Sequence, residues 1–216
     1  MFTRQSDEAL GPGLSSEGHL TMPSILDTLS AHLDDRALSQ LTARLGADQG
    51  NTSKAIAAAV PLLLGALARN ASKGDGAEQL HEALVRDHDG SVLDQPPAVA
   101  EDAGLRDGDA ILGHILGDRR AAAEQGVSRV SGLDLAKVGP LLAMLAPLVM
   151  GALGRTRAQQ GLDPKGLSRV LGDEREELGA RAPGLLGAVG RLLDRNNDGS
   201  ALDDVGGLLG GLFGRR

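Results

Sequence analysis

The stretch Lys137–Arg155, with the sequence KVGPLLAMLAPLVMGALGR, decides the fold because no charged residue interrupts it between its two ends. Leu and Ala, which dominate it, are among the strongest helix formers. A helix that is apolar on every side is typical of the centre of a bundle. Residues 138–154 also reach the lower end of the ~17–25 residues that a membrane-spanning helix needs. Pro140 and Pro147 argue against a span, so we predict a buried central helix and keep membrane association as an alternative.

The composition of the whole chain indicates an all-α protein. Its 216 residues include two Phe, no Trp and no Tyr, whereas 41% of them are hydrophobic. A core without aromatic residues must be built from Leu, Ala, Val, Ile and Met, and strands favour aromatic and β-branched side chains. The lack of cysteine excludes disulfides and Cys-ligated metals. A net charge of -7 argues against nucleic-acid binding, which needs a basic surface.

Two internal echoes indicate a duplication. The run Val60–Arg69 (VPLLLGALAR) returns as Ala146–Arg155 (APLVMGALGR), with the prolines 86 residues apart. The segment DHDGSVLD at 87–94 returns as NNDGSALD at 196–203. A proline inside a helix removes one backbone hydrogen bond and clashes with the preceding turn. We therefore predict a multi-helical bundle of two related helical repeats with proline-kinked central helices, the alternative being two shorter helices that meet at each proline.

The same features divide the chain into five segments. Prolines at 96 and 97 indicate a stiff, extended joint between the repeats. The polar beginning of the chain does not resemble a signal peptide. The predicted segments are a flexible N-terminal lead (1–21), helical repeat 1 (22–95), a Pro-rich linker (96–104), helical repeat 2 (105–205) and a Gly/Leu-rich C-terminal tail (206–216).

Capping residues and apolar spacing predict where the helices begin. Ser24 and Asp34 or Asp35 precede the first two helices, and Gly46 ends the second. The remaining helices are predicted to begin at Thr52 or Ser53, at Asp75, at Asp107 or Asp109, at 119 and at 134, followed by separate helices over 164–171, 173–180 and 183–194.

The second Asp-Gly-Ser segment resembles part of a calcium-binding loop. Asp194, Asn196 and Asp198 occupy positions 1, 3 and 5 of an EF-hand-type loop, and Ser200 adds a further oxygen ligand. Val205, however, stands at position 12, where a glutamate is expected. The alternative is a turn, in which Gly199 ends one helix and Ser200 caps the next with Asp203 closing a capping box. In the first copy Gly90, Ser91 and Asp94 would repeat that turn.

No catalytic constellation is present in the sequence. His81-Glu82 begins like a zinc-peptidase helix, but Val85 stands where the second histidine is required. His114 lies between apolar neighbours, which is typical of a capping or core-edge histidine. The chain has no Gly-x-Ser-x-Gly elbow, Walker loop or dinucleotide fingerprint. We predict that the protein is not an enzyme and needs no cofactor, calcium being the one possible ligand.

The C-terminal tail is the second candidate for an interaction. Glycines recur at four-residue spacing from Gly206 to Gly214, a pattern that lets helices pack closely. Leu208, Leu209, Leu212 and Phe213, followed by two arginines, could dock on a partner or on an anionic membrane. The alternative is a flexible glycine-rich tail that folds back on its own bundle.

Three stretches together resemble a known family. They are Gly108–Gly117 (GDAILGHILG), Ser131–Gly154 and the Asp-Gly-Ser segments near the ends of both repeats. Over roughly residues 24–205 they resemble the YidB-type bacterial proteins, a helical family of unknown function. The resemblance implies a bacterial, soluble, multi-helical protein and implies no activity.

Taken together, the sequence predicts a non-enzymatic helical interaction or scaffold protein in the bacterial cytoplasm. Its expected partner is another protein or a second copy of itself, through apolar, glycine-lined helix faces and the tail. Nucleic acid is not expected as a partner, and a membrane role, through residues 138–154 or the tail, is the less favoured alternative. Calcium binding at Asp194–Ser200 is the other alternative.

Overall fold

The computed structural model describes residues 24–94, 99 and 101–181, and all regular secondary structure in those ranges is helical. The all-α prediction is therefore confirmed. The predicted N-terminal lead and C-terminal tail lie outside the described residues. The α-helices are α1 (Ile25–His32), α2 (Asp35–Leu45), α3 (Gln49–Ala71), α4 (Gly76–Arg86), α5 (Asp102–Leu116), α6 (Arg120–Ser131), α7 (Leu135–Gln160) and α8 (Pro164–Arg181), with short 3-10 helices at Ser91–Asp94 and Gly117–Arg119.

The first helices begin and end at the predicted caps. The Ser24 side chain accepts a hydrogen bond from the Asp27 backbone N–H, and the Asp27 carboxylate returns one to Ser24, which completes a capping box. The Asp34 carboxylate caps α2, and Gly46 ends it in the left-handed conformation with a φ of 55°. These predictions are confirmed.

Three predicted helix limits are wrong. Helix α3 was expected to begin at Thr52 or Ser53 but begins at Gln49, because the Asp48 carboxylate accepts a hydrogen bond from the Asn51 backbone N–H and caps the helix. Helix α5 begins at Asp102 rather than at 107 or 109, so the last residues of the predicted linker are helical. Residues 164–181 form one helix instead of two, because Leu171 and Glu174 are both buried on either side of Gly172.

The prolines lie inside uninterrupted helices. Pro61 is in α3, which has 23 residues, and Pro140 and Pro147 are in α7, which has 26. The alternative of two shorter helices that meet at each proline is therefore wrong. Both helices are long and apolar enough to cross a membrane by length and composition, but the apolar windows of α3 and α7 are 61% and 78% buried inside the protein.

Helices from both halves of the chain build one shared core. Helix α5 packs along α7, and α6 and α8 pack against α3. Helix α1 and the 3-10 helix at Ser91–Asp94, both from the first half, pack against α7 in the second half. The core is made of Leu, Ala, Val, Ile and Met side chains, as the composition predicts. Each half thus covers the central helix of the other.

Two cross-contacts between the halves occupy equivalent positions. The Asn51 side chain donates to the backbone oxygen of Gly132 at 3.4 Å. Lys137, 86 residues after Asn51, donates to the backbone oxygen of Gly46, 86 residues before Gly132. Gly46 and Gly132 both end their helices with a positive φ. The 86-residue spacing of the sequence repeat therefore also relates the residues of these two reciprocal contacts.

Candidate functional site

The first Asp-Gly-Ser segment forms a turn that packs directly on α7. Gly90 has a φ of 103°, and a Cβ atom built on it would lie 2.9 Å from the Cβ of Arg155. A Cβ atom on Gly151 would overlap the Val92 side chain, and one on Gly154 would overlap the backbone oxygen of His88. Gly151 and Gly154, in the Met-Gly-Ala-Leu-Gly run of α7, therefore form the surface against which this turn packs.

Arg155 joins that turn to α7 and α1. Its Nη2 donates to the backbone oxygen of Gly90 and to the Asp94 carboxylate, both at 2.8 Å. Its Nη1 lies 3.1 Å from Nε2 of His32. His32 Nδ1 lies 2.7 Å from the backbone oxygen of Thr28, which can only accept, so Nδ1 carries the proton and Nε2 accepts from Arg155. One guanidinium thus connects three segments that are distant in sequence.

The prediction of which residues cap this turn is wrong. Ser91 does not cap the following helix and Asp94 does not close a capping box. Instead the Asp89 carboxylate accepts from the Ser91 backbone N–H at 2.9 Å, and this hydrogen bond holds the pKa of Asp89 below its ordinary value. Asp94 pairs with Arg155. The carboxylates of the first copy are therefore engaged in capping and ion pairing.

The predicted calcium ligands Asp194, Asn196, Asp198 and Ser200 lie outside the described residues, as do the predicted contact residues Leu208, Leu209, Leu212 and Phe213. Both sets remain predictions. Within residues 24–94, 99 and 101–181, no group of three or more His, Asp or Glu side chains is arranged to hold a metal ion.

An open groove lies between α4 and α5 over the end of α3. Its volume is about 670 Å³. Apolar side chains from α3, α4, α5 and α7 line its interior, and charged or polar side chains line its edge. The apolar residues include Leu67, Leu80, Ile111, Ile115 and Met150, and the edge includes Lys73, Asp75, Arg86, Asp87, Asp107 and His114. No pattern in the sequence predicts this groove, because its walls come from both predicted repeats.

The base of the groove is fixed by one side-chain amide. Asn70, near the end of α3, donates to the backbone oxygens of His114 at 3.3 Å and Ile115 at 3.0 Å. These carbonyls belong to the last turn of α5, whose oxygens have no partners within the helix. Asn70 therefore holds the ends of α3 and α5 together, while the His114 side chain stays exposed.

The other histidine singled out in the sequence has a structural role. His81 Nε2 lies 3.1 Å from the backbone oxygen of Leu162, which joins α4 to the connection between α7 and α8. Because a carbonyl oxygen can only accept, His81 donates through Nε2 and holds these two segments together. His32, by contrast, was not predicted from the sequence, since its partner Arg155 is 123 residues away.

Glu174 is a buried carboxylate that caps a distant helix. It is 5% exposed, and its two oxygens accept from the backbone N–H groups of Ile25 at 3.3 Å and Leu26 at 3.2 Å. These N–H groups belong to the first turn of α1 and have no partner within that helix. Burial raises the pKa of Glu174, and the two hydrogen bonds offset part of that rise.

The family of the chain is identified by comparison with models of known protein families. A family model described as "Bacterial protein of unknown function (DUF937)" matches residues 27–156. Comparison with curated proteins found no match, and comparison with solved structures found none either. The match covers more than half of the sequence, so the chain belongs to this bacterial family of unknown function. The narrower resemblance to YidB-type proteins remains a prediction.

Proposed function

We propose that this chain is a non-enzymatic, helical protein-interaction domain that binds a segment of another protein, or of a second copy, in the groove between α4 and α5. The observation that carries the proposal is the combination of an apolar interior and a charged edge in one open groove. Protein interfaces share this anatomy, with an apolar centre that supplies affinity and a polar rim that sets orientation.

The shape of the groove suits an amphipathic helix as its occupant. Two helices form its walls, and Leu80 of α4 and Ile111 of α5 both line it. A bound helix would place apolar side chains three and four positions apart against this interior. Lys73 and Arg86 are basic and Asp75 and Asp107 acidic, so the edge would favour a partner segment that carries both signs of charge.

The non-enzymatic part of the proposal is supported by how the polar groups inside the bundle are used. The buried hydroxyls of Thr52 and Ser131 donate to backbone oxygens one turn earlier in their own helices. His32 and His81 each bond a backbone oxygen. These hydrogen bonds hold the helices and their connections in place, which is a structural use of the polar groups.

We also propose a cytoplasmic protein rather than a membrane protein. The support is that the apolar faces of α3 and α7 are covered by the remaining helices, so that the bundle provides the apolar surroundings that a bilayer would otherwise supply. The acidic net charge of -7 supports a protein partner over a nucleic acid.

The groove can be tested with a matched pair of substitutions. Ala110 lines the groove on α5 and is exposed, so Ala110→Arg should obstruct the groove without disturbing the core. Ala121 is also an exposed alanine, on α6, and is not among the residues that line the groove, so Ala121→Arg is the control for added charge and bulk. Light scattering measures self-association, and cross-linking followed by pull-down measures partner binding.

We expect Ala110→Arg to lose the association that Ala121→Arg keeps. A chain that ends at Asp204 tests the tail in the same assays, because it removes the predicted contact residues Leu208, Leu209, Leu212 and Phe213. Loss of binding in the shortened chain alone would move the interaction from the groove to the tail. A monomer with an identical set of partners in all three variants would refute the interaction proposal.

A further inference from the structure

We propose that the contact between His32 of α1 and Arg155 of α7 is a pH-sensitive switch, in which protonation of His32 detaches the last turn of α1, residues 29–32, from α7. The detached turn uncovers apolar surface of the core while the rest of the bundle stays folded. Neither His32 nor Arg155 lines the groove between α4 and α5, so the switch is independent of the proposed function.

Helix α1 is held against the bundle at both of its ends. Its apolar face packs on α7, with Ile25 and Leu29 at most 2% exposed. At the first end, the Glu174 carboxylate of α8 accepts from backbone N–H groups of the first turn. At the second end, Nη1 of Arg155 lies 3.1 Å from Nε2 of His32. Because α1 has only eight residues, each of these two contacts holds about one turn of it.

The contact at the second end requires the neutral form of His32. Its Nδ1 lies 2.7 Å from the backbone oxygen of Thr28, and an oxygen of this kind can only accept. Nδ1 therefore carries the proton of the neutral ring, which leaves Nε2 as the acceptor for Arg155. Since a guanidinium has N–H donors and no acceptor, this hydrogen bond exists only while Nε2 is unprotonated.

Protonation of His32 converts the hydrogen bond into a repulsive contact. Both ring nitrogens of an imidazolium are donors. Nε2–H then points at the N–H groups of Arg155 across 3.1 Å, and two positive charges so close together repel each other. Arg155 keeps its bonds to the Gly90 oxygen and to Asp94, both at 2.8 Å, so it stays in place. The side chain that moves is therefore His32, together with the turn of α1 that carries it.

The other charged groups around the contact do not replace the lost hydrogen bond. Asp94 pairs with Nη2 of Arg155, but its side chain is 66% exposed, so it offsets the charge of Arg155 only in part. The charge of Arg155 also acts on Asp89, which accepts from the Ser91 backbone N–H. Among the described hydrogen bonds and ion pairs, none joins His32 to a carboxylate. The positive charge of a protonated His32 is therefore unfavourable at this site.

The first end of α1 responds to acid in the opposite direction. Burial raises the pKa of Glu174, the bonds from the α1 backbone lower it in part, and Glu177 and Asp27 raise it further. Protonation of Glu174 removes the cost of a buried charge, so a fall in pH does not release this end. Acid therefore loosens α1 at His32 while its first turn remains packed.

Opening of the last turn exposes core surface at mildly acidic pH. Leu29 is 2% exposed and Leu33 packs against the same core, so both become accessible when the turn leaves α7. Histidine is the side chain whose charge changes between pH 5 and 8. The switch therefore hides this apolar surface near pH 7 and offers it to a partner near pH 5.

Amide hydrogen exchange of the full chain at pH 7 and at pH 5 tests the switch, with rates corrected for the intrinsic pH dependence of exchange. His32→Gln removes the titratable ring. His81→Gln is the matched control, because His81 Nε2 also donates to a backbone oxygen, that of Leu162, but none of the described hydrogen bonds joins His81 to an arginine. The amides of α3 and α7 report on the rest of the bundle.

We expect residues 29–33 of the native protein to lose about tenfold in protection from pH 7 to pH 5, since uptake of one proton changes an opening equilibrium by up to about tenfold per pH unit. His81→Gln should show the same loss, and His32→Gln should be equally protected at both pH values. Unchanged protection in the native protein, or the native loss in His32→Gln, would overturn the proposal. An equal loss in α3 and α7 would also overturn it, because acid would then unfold the whole bundle.

A second variant keeps the histidine and removes the opposing charge. In Arg155→Met the last turn of α1 should be less protected than in the native protein at pH 7, because the hydrogen bond is absent. Its protection should no longer fall between pH 7 and pH 5, because protonated His32 meets no cation there. A fall as large as in the native protein would overturn the assignment of the switch to this pair.

The tautomer of His32 gives a readout that needs no substitution. Nitrogen-15 NMR of the imidazole at pH 7 should show a proton on Nδ1 and none on Nε2, as the contacts with Thr28 and Arg155 require. The opposite tautomer would overturn the proposal, since Nε2 could not then accept from Arg155.

Discussion

Gly108 of α5 lies against the backbone oxygen of Ala143 in α7, so closely that a Cβ atom at position 108 would overlap that oxygen. Ala143 is four residues before Pro147, whose nitrogen carries no hydrogen, so this carbonyl lacks the usual helical donor. The Gly108 Cα–H can approach it as a weak donor. The missing N–H at Pro147 and the missing side chain at Gly108 together allow α5 and α7 to approach each other closely at this point.

Gly108→Ala should destabilise the protein. The new methyl group would meet backbone rather than a movable side chain, and overpacking of this kind costs about 1–3 kcal/mol. Gly113→Ala, on an exposed position of the same helix with no neighbour within 4 Å, is the control. It should stabilise the protein by up to about 1 kcal/mol through helix propensity. Urea unfolding followed at 222 nm by circular dichroism measures both, and equal effects would show that the α5–α7 contact is not close-packed.

Arg155→Met should loosen the turn at residues 88–94. The variant removes three polar contacts at once, and we expect a loss of about 1–3 kcal/mol of unfolding free energy. Most of it should come from the contacts to Gly90 and His32, because the Asp94 side chain is 66% exposed and its ion pair is weakened by water. Arg129→Met, at an exposed site on α6, should change stability by less than about 0.5 kcal/mol. Faster amide hydrogen exchange at 88–94 in Arg155→Met alone would locate the effect.

Glu174 should make the protein less stable as the pH rises. Its pKa in the folded protein is raised, first by burial and further by Glu177 and Asp27, although the hydrogen bonds from Leu26 and Ile25 act in the opposite direction. Between the ordinary glutamate pKa of about 4.3 and the raised value, the folded chain binds more protons than the unfolded chain. The stabilising contribution is therefore complete below the ordinary value and is lost as the pH rises through the raised one.

The measurement is the urea midpoint as a function of pH for the native protein, for Glu174→Gln and for Glu176→Gln. Glu176 is an exposed glutamate on the same helix, so its variant controls for the change in net charge. We expect the pH dependence of Glu174→Gln to be flatter than that of the other two chains in the window just above the ordinary glutamate pKa. Three parallel curves would show that Glu174 does not titrate at a raised pKa.

The predicted calcium site at Asp194, Asn196, Asp198 and Ser200 can be distinguished by experiment from the alternative, in which the second Asp-Gly-Ser segment only forms a turn. In the first Asp-Gly-Ser segment the carboxylates are engaged by the Ser91 N–H and by Arg155. If the second segment is used in the same way, calorimetry with millimolar calcium should give no saturable heat. A saturable heat that disappears in Asp194→Asn would establish the calcium loop instead.

Local signals in the sequence were sufficient for most of the helix limits. Ser24, Asp34 and Gly46 act within one turn of their own position, so their effect can be predicted without knowledge of the rest of the chain. The single helix at 164–181 could not be predicted, because Gly172 weakens a helix locally and only the burial of Leu171 and Glu174 compensates.

Composition and the repeated, uncharged Ala/Leu-rich runs determined by themselves that this protein is all-α and that two proline-bearing helices lie at its centre, since these properties follow from helix propensity and hydrophobic burial. Tertiary structure alone decided that the turn at 88–94 rests on Gly151 and Gly154, that Arg155 joins it to His32, and that α4 and α5 leave a groove between them. Each of these depends on segments that are distant in sequence, and their contact is set by how the halves cross, which no local pattern of residues specifies.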